Sequence, residues 1–206
     1  MPMPAPTRDE RREARALALL RELGAGNVEH PGGTLSAHLE RVHARLGAWG
    51  ARPALRLAGL CHALYGTDGF ATALLPAGRR AELAAAIGAE AEEIVHFYAR
   101  CDRAASCPTL AADDPAGADA ADNEAVSSVA PAFRDRFTGR VHSPDRQTLR
   151  DFAELSAANE LDLAVIDPAF RAAHGPGLLA LFTRLRGLLS EPAWRDCRAV
   201  LGGGPS

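Results

Sequence analysis

The stretch from residue 30 to residue 70 constrains the fold more than any other part of the chain. Its first half repeats apolar residues at the i, i+3, i+4, i+7 spacing of an amphipathic helix, and His38 shares their face. Its second half is an almost wholly apolar helical segment that carries His62, and the turn WGARP joins the two. Antiparallel helices with a short connection pack along their apolar faces. The pattern therefore predicts that His38 and His62 meet inside the protein.

The remaining sequence is also mostly helical in pattern. Helix start and stop signals predict six more helices, over residues 8–23, 78–87, 89–101, 145–164, 177–189 and 191–201. Alternation over residues 133–141 predicts a short hairpin or an extended arm. We therefore expect an all-α helical bundle that forms one domain over residues 1–206, with tails at 1–6 and 202–206. The Ala/Asp/Gly/Pro-rich segment 107–123 is typical of a mobile surface loop.

Composition excludes several functional classes. The net charge of −3 and the pI near 6.2 give no electrostatic footprint for nucleic acid. All 23 basic residues are arginine, which excludes a lysine Schiff base and a P-loop lysine. The polar N-terminus does not resemble a signal peptide, and no apolar run approaches the roughly 20 residues that span a bilayer. We expect a cytoplasmic protein that does not enter the membrane and whose partner is a small-molecule substrate.

The buried histidines suggest a metal site, although a simpler interpretation stays open. Imidazole is the commonest transition-metal ligand, and bundle cores build metal sites from facing helices. His38 and His62, with Asn159 from the helix over 145–164, form such a set. Alternatively, each histidine is satisfied separately by a backbone carbonyl or a hydroxyl group.

The same residues carry a resemblance to a known superfamily. His38-Leu-Glu-Arg-Val42, followed by an Ala-Gly-Leu-Cys-His segment that ends at His62, resembles the HD-domain superfamily. The spacing between the two histidines is similar to that of the stringent-response nucleotide hydrolases. The likeness covers about residues 34–100 and 148–164. It implies an all-helical fold and a divalent metal ion (Fe, Mn or Zn) held by His, His-Asp and a later Asp.

The chain departs from that pattern at two ligand positions. Ala63 stands where the Asp of the His-Asp pair belongs, and Asn159 stands where the final Asp belongs. Neutral groups hold a divalent cation less well than carboxylates do. The combination HxxxTLxxHL, WG, AGLxH and YGT is closer to a divergent HD-domain-like family, for which the resemblance implies a fold but no activity.

Five further residues complete the predicted site. Tyr65 and Thr67 follow His62 closely and are predicted to face the substrate; alternatively, YGT is only a turn. His30 lies in a glycine-rich loop that would let it reach His38. His96 is an additional candidate ligand, as extra histidines are in the diiron oxygenases of the superfamily, and Asp162 is a candidate replacement for the missing carboxylate.

These residues lead to one expected function and two alternatives. We expect a divergent HD-like enzyme that hydrolyses a small molecule with a metal-activated water. An iron-dependent oxygenase is one alternative, because His-rich sites also suit iron. A degenerate HD-like domain that binds a small molecule or a partner without catalysis is the other.

Overall fold

The computed structural model describes residues 5–110 and 132–203 and shows an all-α protein. Within these ranges there are nine α-helices and two small antiparallel sheets of two strands each. The helices are α1 Arg8–Glu22, α2 Leu35–Ala48, α3 Pro53–Cys61, α4 Arg80–Ile87, α5 Ala89–Arg100, α6 Arg103–Ser106, α7 Arg146–Ile166, α8 Pro168–Arg184 and α9 Glu191–Leu201. The strands are β1 Glu29–His30, β2 Gly33–Thr34, β3 Phe133–Arg134 and β4 Val141–His142.

The chain divides into two compact units, the first ending at Ala99 and the second beginning at Arg100. In the first unit, Thr7 and Glu10 form the predicted capping box, which begins α1 by satisfying its first N–H groups. The sheet β1–β2 leads into α2, whose N-terminus is capped by the Thr34 side chain. Pro53 begins α3 at the first helical position, where its missing N–H costs nothing.

A glycine allows the two central helices of the first unit to approach closely. A Cβ atom at Gly59 of α3 would lie 2.5 Å from Leu46 Cδ1 and 3.5 Å from Val42 Cγ1, both on α2. A larger residue at this position would force at least the Leu46 side chain to move. The predicted α2–α3 hairpin is therefore confirmed, and it anchors the apolar core of this unit. That core includes Leu20, Leu35, Leu39, Leu60, Leu64, Leu75, Leu83, Ile87 and Val95.

The second unit is organised around α7, which contacts both α8 and α9. Asp145 begins α7, since its side chain accepts hydrogen bonds from the backbone N–H (2.9 Å) and the hydroxyl of Thr148. Strands β3 and β4 pair Phe133 with His142, as the alternating pattern predicted. No helix in the described ranges is long and apolar enough to cross a membrane.

Both boundaries of the helix expected over 177–189 were predicted wrongly. This helix, α8, ends at Arg184, and it already begins at Pro168. The reason is the residue before it: the Asp167 carboxylate accepts hydrogen bonds from the N–H groups of Ala169 (2.9 Å) and Phe170 (3.0 Å). This cap, together with proline at the first helical position, begins the helix at Pro168. The helix then continues past Pro176.

Three statements about organisation remain predictions. The single domain over residues 1–206 is not tested by the division into two units. The described residues leave out most of the predicted loop (residues 111–123) and parts of the two tails (residues 1–4 and 204–206).

Candidate functional site

His38 and His62 meet in the interior of the first unit, as their helical faces predicted. Their ring centroids lie 5.3 Å apart with the planes at 72°, and the residues are only 1% and 2% exposed. His38 lies on the buried face of α2, together with Leu35 and Leu39. His62 is the first residue after α3, so the α2–α3 hairpin fixes both rings.

His30 adds a third ring, as its loop position predicted. It stacks on His38 with centroids 4.1 Å apart and an interplanar angle of 24°. It also contacts the Phe70 ring edge-on at 5.6 Å. The sheet β1–β2 places His30 there by pairing it with Gly33 across a tight turn. We call His30, His38 and His62 the imidazole row; His30 is half-buried, whereas the other two are buried.

The hydrogen bond of His62 determines which of its nitrogens is protonated. Nδ1 lies 2.8 Å from the carbonyl oxygen of Gly59. A carbonyl oxygen only accepts, so Nδ1–H donates and the lone pair of the neutral ring is on Nε2. The ring also packs edge-on against Tyr98, with centroids 5.4 Å apart. A backbone carbonyl on Nδ1 is the usual way in which proteins orient a histidine whose Nε2 acts.

The neighbours of His62 in the chain are apolar or un-ionised. Ala63, at the position of the missing carboxylate, belongs to the buried apolar core. Burial raises the pKa of Cys61 to about 12, so this residue is a neutral thiol at physiological pH. A thiol in that state is a poor nucleophile.

Tyr65 is fixed by an ion pair that the sequence analysis missed. Its hydroxyl donates to Glu92 Oε1 at 2.9 Å, and Arg80 donates from Nε and Nη2 to the two oxygens of Glu92 at 2.7 and 2.6 Å. Burial and the Glu92 carboxylate raise the pKa of Tyr65, and the hydrogen bonds to Glu92 raise the pKa of Arg80. The phenol is therefore neutral and anchored. Its predicted catalytic role remains a prediction.

The YGT segment is a tight turn. Gly66 adopts φ +71°, a conformation that favours glycine. Thr67 and Phe70 exchange backbone hydrogen bonds, with the Thr67 N–H donating at 2.8 Å and the Phe70 N–H at 3.2 Å. This turn holds Phe70 against His30. Thr67 is half-buried, and its substrate-facing role is untested.

The remaining predicted site residues come from helices α5 and α7. His96 on α5 contacts the Tyr65 ring, with centroids 6.1 Å apart. Asn159 and Asp162 both lie on α7 in the second unit. Asn159 Nδ2 donates to Glu160 Oε1 at 3.1 Å, and Asp162 is buried. Their predicted roles as ligands remain predictions.

His43 connects three helices. Its Nδ1–H donates to the carbonyl oxygen of Arg56 at 2.9 Å, and its Nε2 lies 3.3 Å from the Glu13 carboxylate. No functional role was predicted for it, and these contacts bind α2 to α3 and α1.

The stack of His30 on His38 bears on whether these two rings could share a metal ion; the ligand set that the HD resemblance implies, His38 and His62 with Asn159, stays a prediction. Imidazole lone pairs lie in the ring plane, and metal–nitrogen distances are about 2.0–2.1 Å. Two rings that stack at 4.1 Å direct their lone pairs along nearly parallel planes, so His30 and His38 do not converge on one ion. Within residues 5–110 and 132–203, no group of three or more His, Cys, Asp or Glu side chains is arranged to hold a metal.

Comparison with known proteins adds one similarity. A family model described as a domain of unknown function (DUF6817) matches residues 19–103, which is 85 of the 206 residues. No curated protein and no solved structure matches the chain. The matched stretch contains the whole imidazole row together with Tyr65 and Glu92, so the similarity covers the site but names no activity.

Proposed function

We propose that this protein is an HD-like helical protein whose first unit binds a small polar molecule at the imidazole row without a resident metal ion. The observation that carries the proposal is the stack of His30 on His38 at 4.1 Å. That stack groups imidazole rings in a geometry in which His30 and His38 do not converge on one ion. Ala63, which replaces the expected carboxylate, supports the same conclusion.

We infer that a ligand reaches the row beside His30, because His30 is the only one of the three rings that is half-buried. Deeper in, the Nδ1–H of His62 donates to the Gly59 carbonyl oxygen, which orients the ring. Phe70 supplies an apolar edge next to His30. Such a lining suits a small molecule with a polar group at one end and a flat or apolar part at the other.

Thermal unfolding with a defined panel tests this proposal. We would use inorganic phosphate, citrate, adenosine and adenosine monophosphate as probes. A ligand at 100 times its Kd stabilises the folded state by about 2.7 kcal/mol, which raises Tm by roughly 5–10 °C for a chain of this size. We expect at least one probe to raise Tm in this way and His30→Ala to abolish the shift.

The control is His43→Gln, which changes a histidine of α2 outside the row. It should lower stability but keep the ligand-induced shift. The absence of any shift in the wild type, or an equal shift in His30→Ala, would overturn the proposal.

A metal-dependent hydrolase is the second candidate, favoured by the Nδ1–H to Gly59 hydrogen bond, because a backbone carbonyl on one ring nitrogen is the usual way to orient a metal-ligating histidine. Elemental analysis of protein purified without a His tag or chelator distinguishes the two. Near-stoichiometric zinc, manganese or iron that His38→Ala and His62→Ala both lose would replace the metal-free proposal with this one. Iron alone would favour the oxygenase alternative.

A further inference from the structure

The hairpin of β3 and β4 in the second unit exposes apolar side chains beside a group of arginines. Phe137 is 46% exposed and Val141 is 62% exposed, which makes them two of the three large apolar residues that are exposed in the described ranges. Arg134, Arg136 and Arg140 are exposed within the same hairpin. Exposed apolar groups within one short segment, unlike scattered ones, point to an interaction surface.

The tip of the hairpin is rigid, so the exposure of Phe137 is built in. The Asp135 carboxylate accepts hydrogen bonds from the N–H groups of Phe137 (2.8 Å) and Thr138 (3.2 Å). The Gly139 N–H donates to the Asp135 carbonyl oxygen at 2.7 Å, and the Arg136 N–H donates to that of Arg100 at 2.8 Å. These bonds prevent the turn from folding the ring inward.

The exposed charge of the hairpin is positive. Its one carboxylate, Asp135, is buried and lies 3.0 Å from Arg100 Nε, so it does not offset the exposed arginines. Arg134 lies 3.7 Å from Asp102, a weak and partly exposed contact. Arg136 and Arg140 flank the tip on either side of Phe137. The chain as a whole has a net charge of −3, so the positive charge of the hairpin is a local feature.

We propose that this hairpin, residues 133–142, is a contact surface for an anionic lipid bilayer. Phe137 and Val141 would enter the headgroup region while the arginines bind lipid phosphates and carboxylates. A protein partner is less suited, because a standard interface uses about 20–30 residues on each side. A nucleic acid is less suited because the Arg136 guanidinium lies 4.6 Å from the Phe137 centroid and covers one face of the ring, which a stacked base would need.

Vesicle cosedimentation of the full chain tests the proposal. We expect binding to phosphatidylcholine vesicles that contain phosphatidylserine, little binding to phosphatidylcholine alone, and weaker binding as salt rises. Arg136→Gln with Arg140→Gln should lower the partition coefficient about 25-fold, at about fivefold per arginine. Phe137→Ser should lower it about tenfold or more, since a buried phenyl ring is lost.

The matched control is Arg171→Gln with Arg184→Gln, which removes two exposed arginines of α8. It should bind as the wild type does, and all variants should keep the wild-type circular dichroism spectrum and Tm. Equal loss in the control pair would show a diffuse charge effect and overturn the proposal. No binding to anionic vesicles at low salt would also overturn it, as would binding to a single-stranded oligonucleotide without vesicle binding.

Discussion

The imidazole of His30 stacks on that of His38 at 4.1 Å although the two residues come from different elements, strand β1 and helix α2. The backbone between them forms a small, fixed unit: Leu35 N–H donates to the Val28 carbonyl oxygen at 2.9 Å, and Thr34 caps α2. The stack therefore joins β1 to α2 at the His30 end of the imidazole row. Its ring contact contributes to stability, and its imidazoles belong to the proposed binding site.

Substitutions at His30 separate these two contributions. His30→Ala should lower the free energy of unfolding by about 1 kcal/mol, because an aromatic pair is lost. His30→Phe should lose less than half of that, since a ring remains on His38. Urea unfolding measures both. His142→Ala, which removes an exposed ring 5.0 Å from Phe133, is the control and should cost less than about 0.5 kcal/mol. Equal losses in His30→Phe and His30→Ala would show that stacking does not matter.

Restoring a carboxylate after His62 tests whether its loss limits metal binding at the row. Ala63→Asp places a charge in an apolar core and should lower the unfolding free energy by about 3 kcal/mol or more without metal. Zn²⁺ should recover part of this loss by pairing with Asp and the buried histidines. Thermal unfolding with and without Zn²⁺ measures the recovery. Ala63→Asn has nearly the same shape and no charge, and it should recover much less. Strong stabilisation of the wild type by Zn²⁺ would contradict the metal-free site.

Periodicity predicted the parts of the site that lie on regular helices. His38 shares the apolar face of α2, and His62 ends an apolar segment, so their meeting followed from the pattern and is confirmed by the 5.3 Å ring contact. The capping box of Thr7 and Glu10 was predictable for the same reason, since both partners are local in sequence.

Tertiary partners were not predictable in this way. Glu92 lies among acids in the first turn of α5 and resembles a solvated residue, but it is only 3% exposed because Arg80 of α4 and Tyr65 cover it. One signal was present: Glu92 precedes Val95 by three residues and Ala99 by seven, so it shares the buried face of α5. The stacking of His30 likewise depended on a turn geometry that no local pattern specifies.

The ion pair of Arg80 and Glu92 should show an asymmetric response to substitution. Arg80→Met leaves the buried Glu92 carboxylate without its cation and should cost about 3 kcal/mol or more. Glu92→Gln leaves Arg80, which is 35% exposed, able to find water, and should cost less. Urea unfolding of the two variants decides the order. Glu93→Gln removes the exposed partner of Arg80 and should cost less than about 1 kcal/mol. A larger loss in Glu92→Gln than in Arg80→Met would refute the asymmetry.

The buried thiol of Cys61 should make the protein sensitive to alkali. Its pKa is raised from 9.0 to about 12 by burial, so above pH 9.0 the unfolded chain loses a proton that the folded chain keeps. The unfolded state is then favoured, and stability falls by up to about 1.4 kcal/mol for each pH unit between 9.0 and about 12. Cys61→Ala should remove this contribution, which urea unfolding across that pH range would show as a shallower decline. Cys107→Ala, at a half-buried thiol, controls for the loss of a cysteine. If Cys61→Ala declined as steeply as the wild type, other groups would cause the alkaline sensitivity.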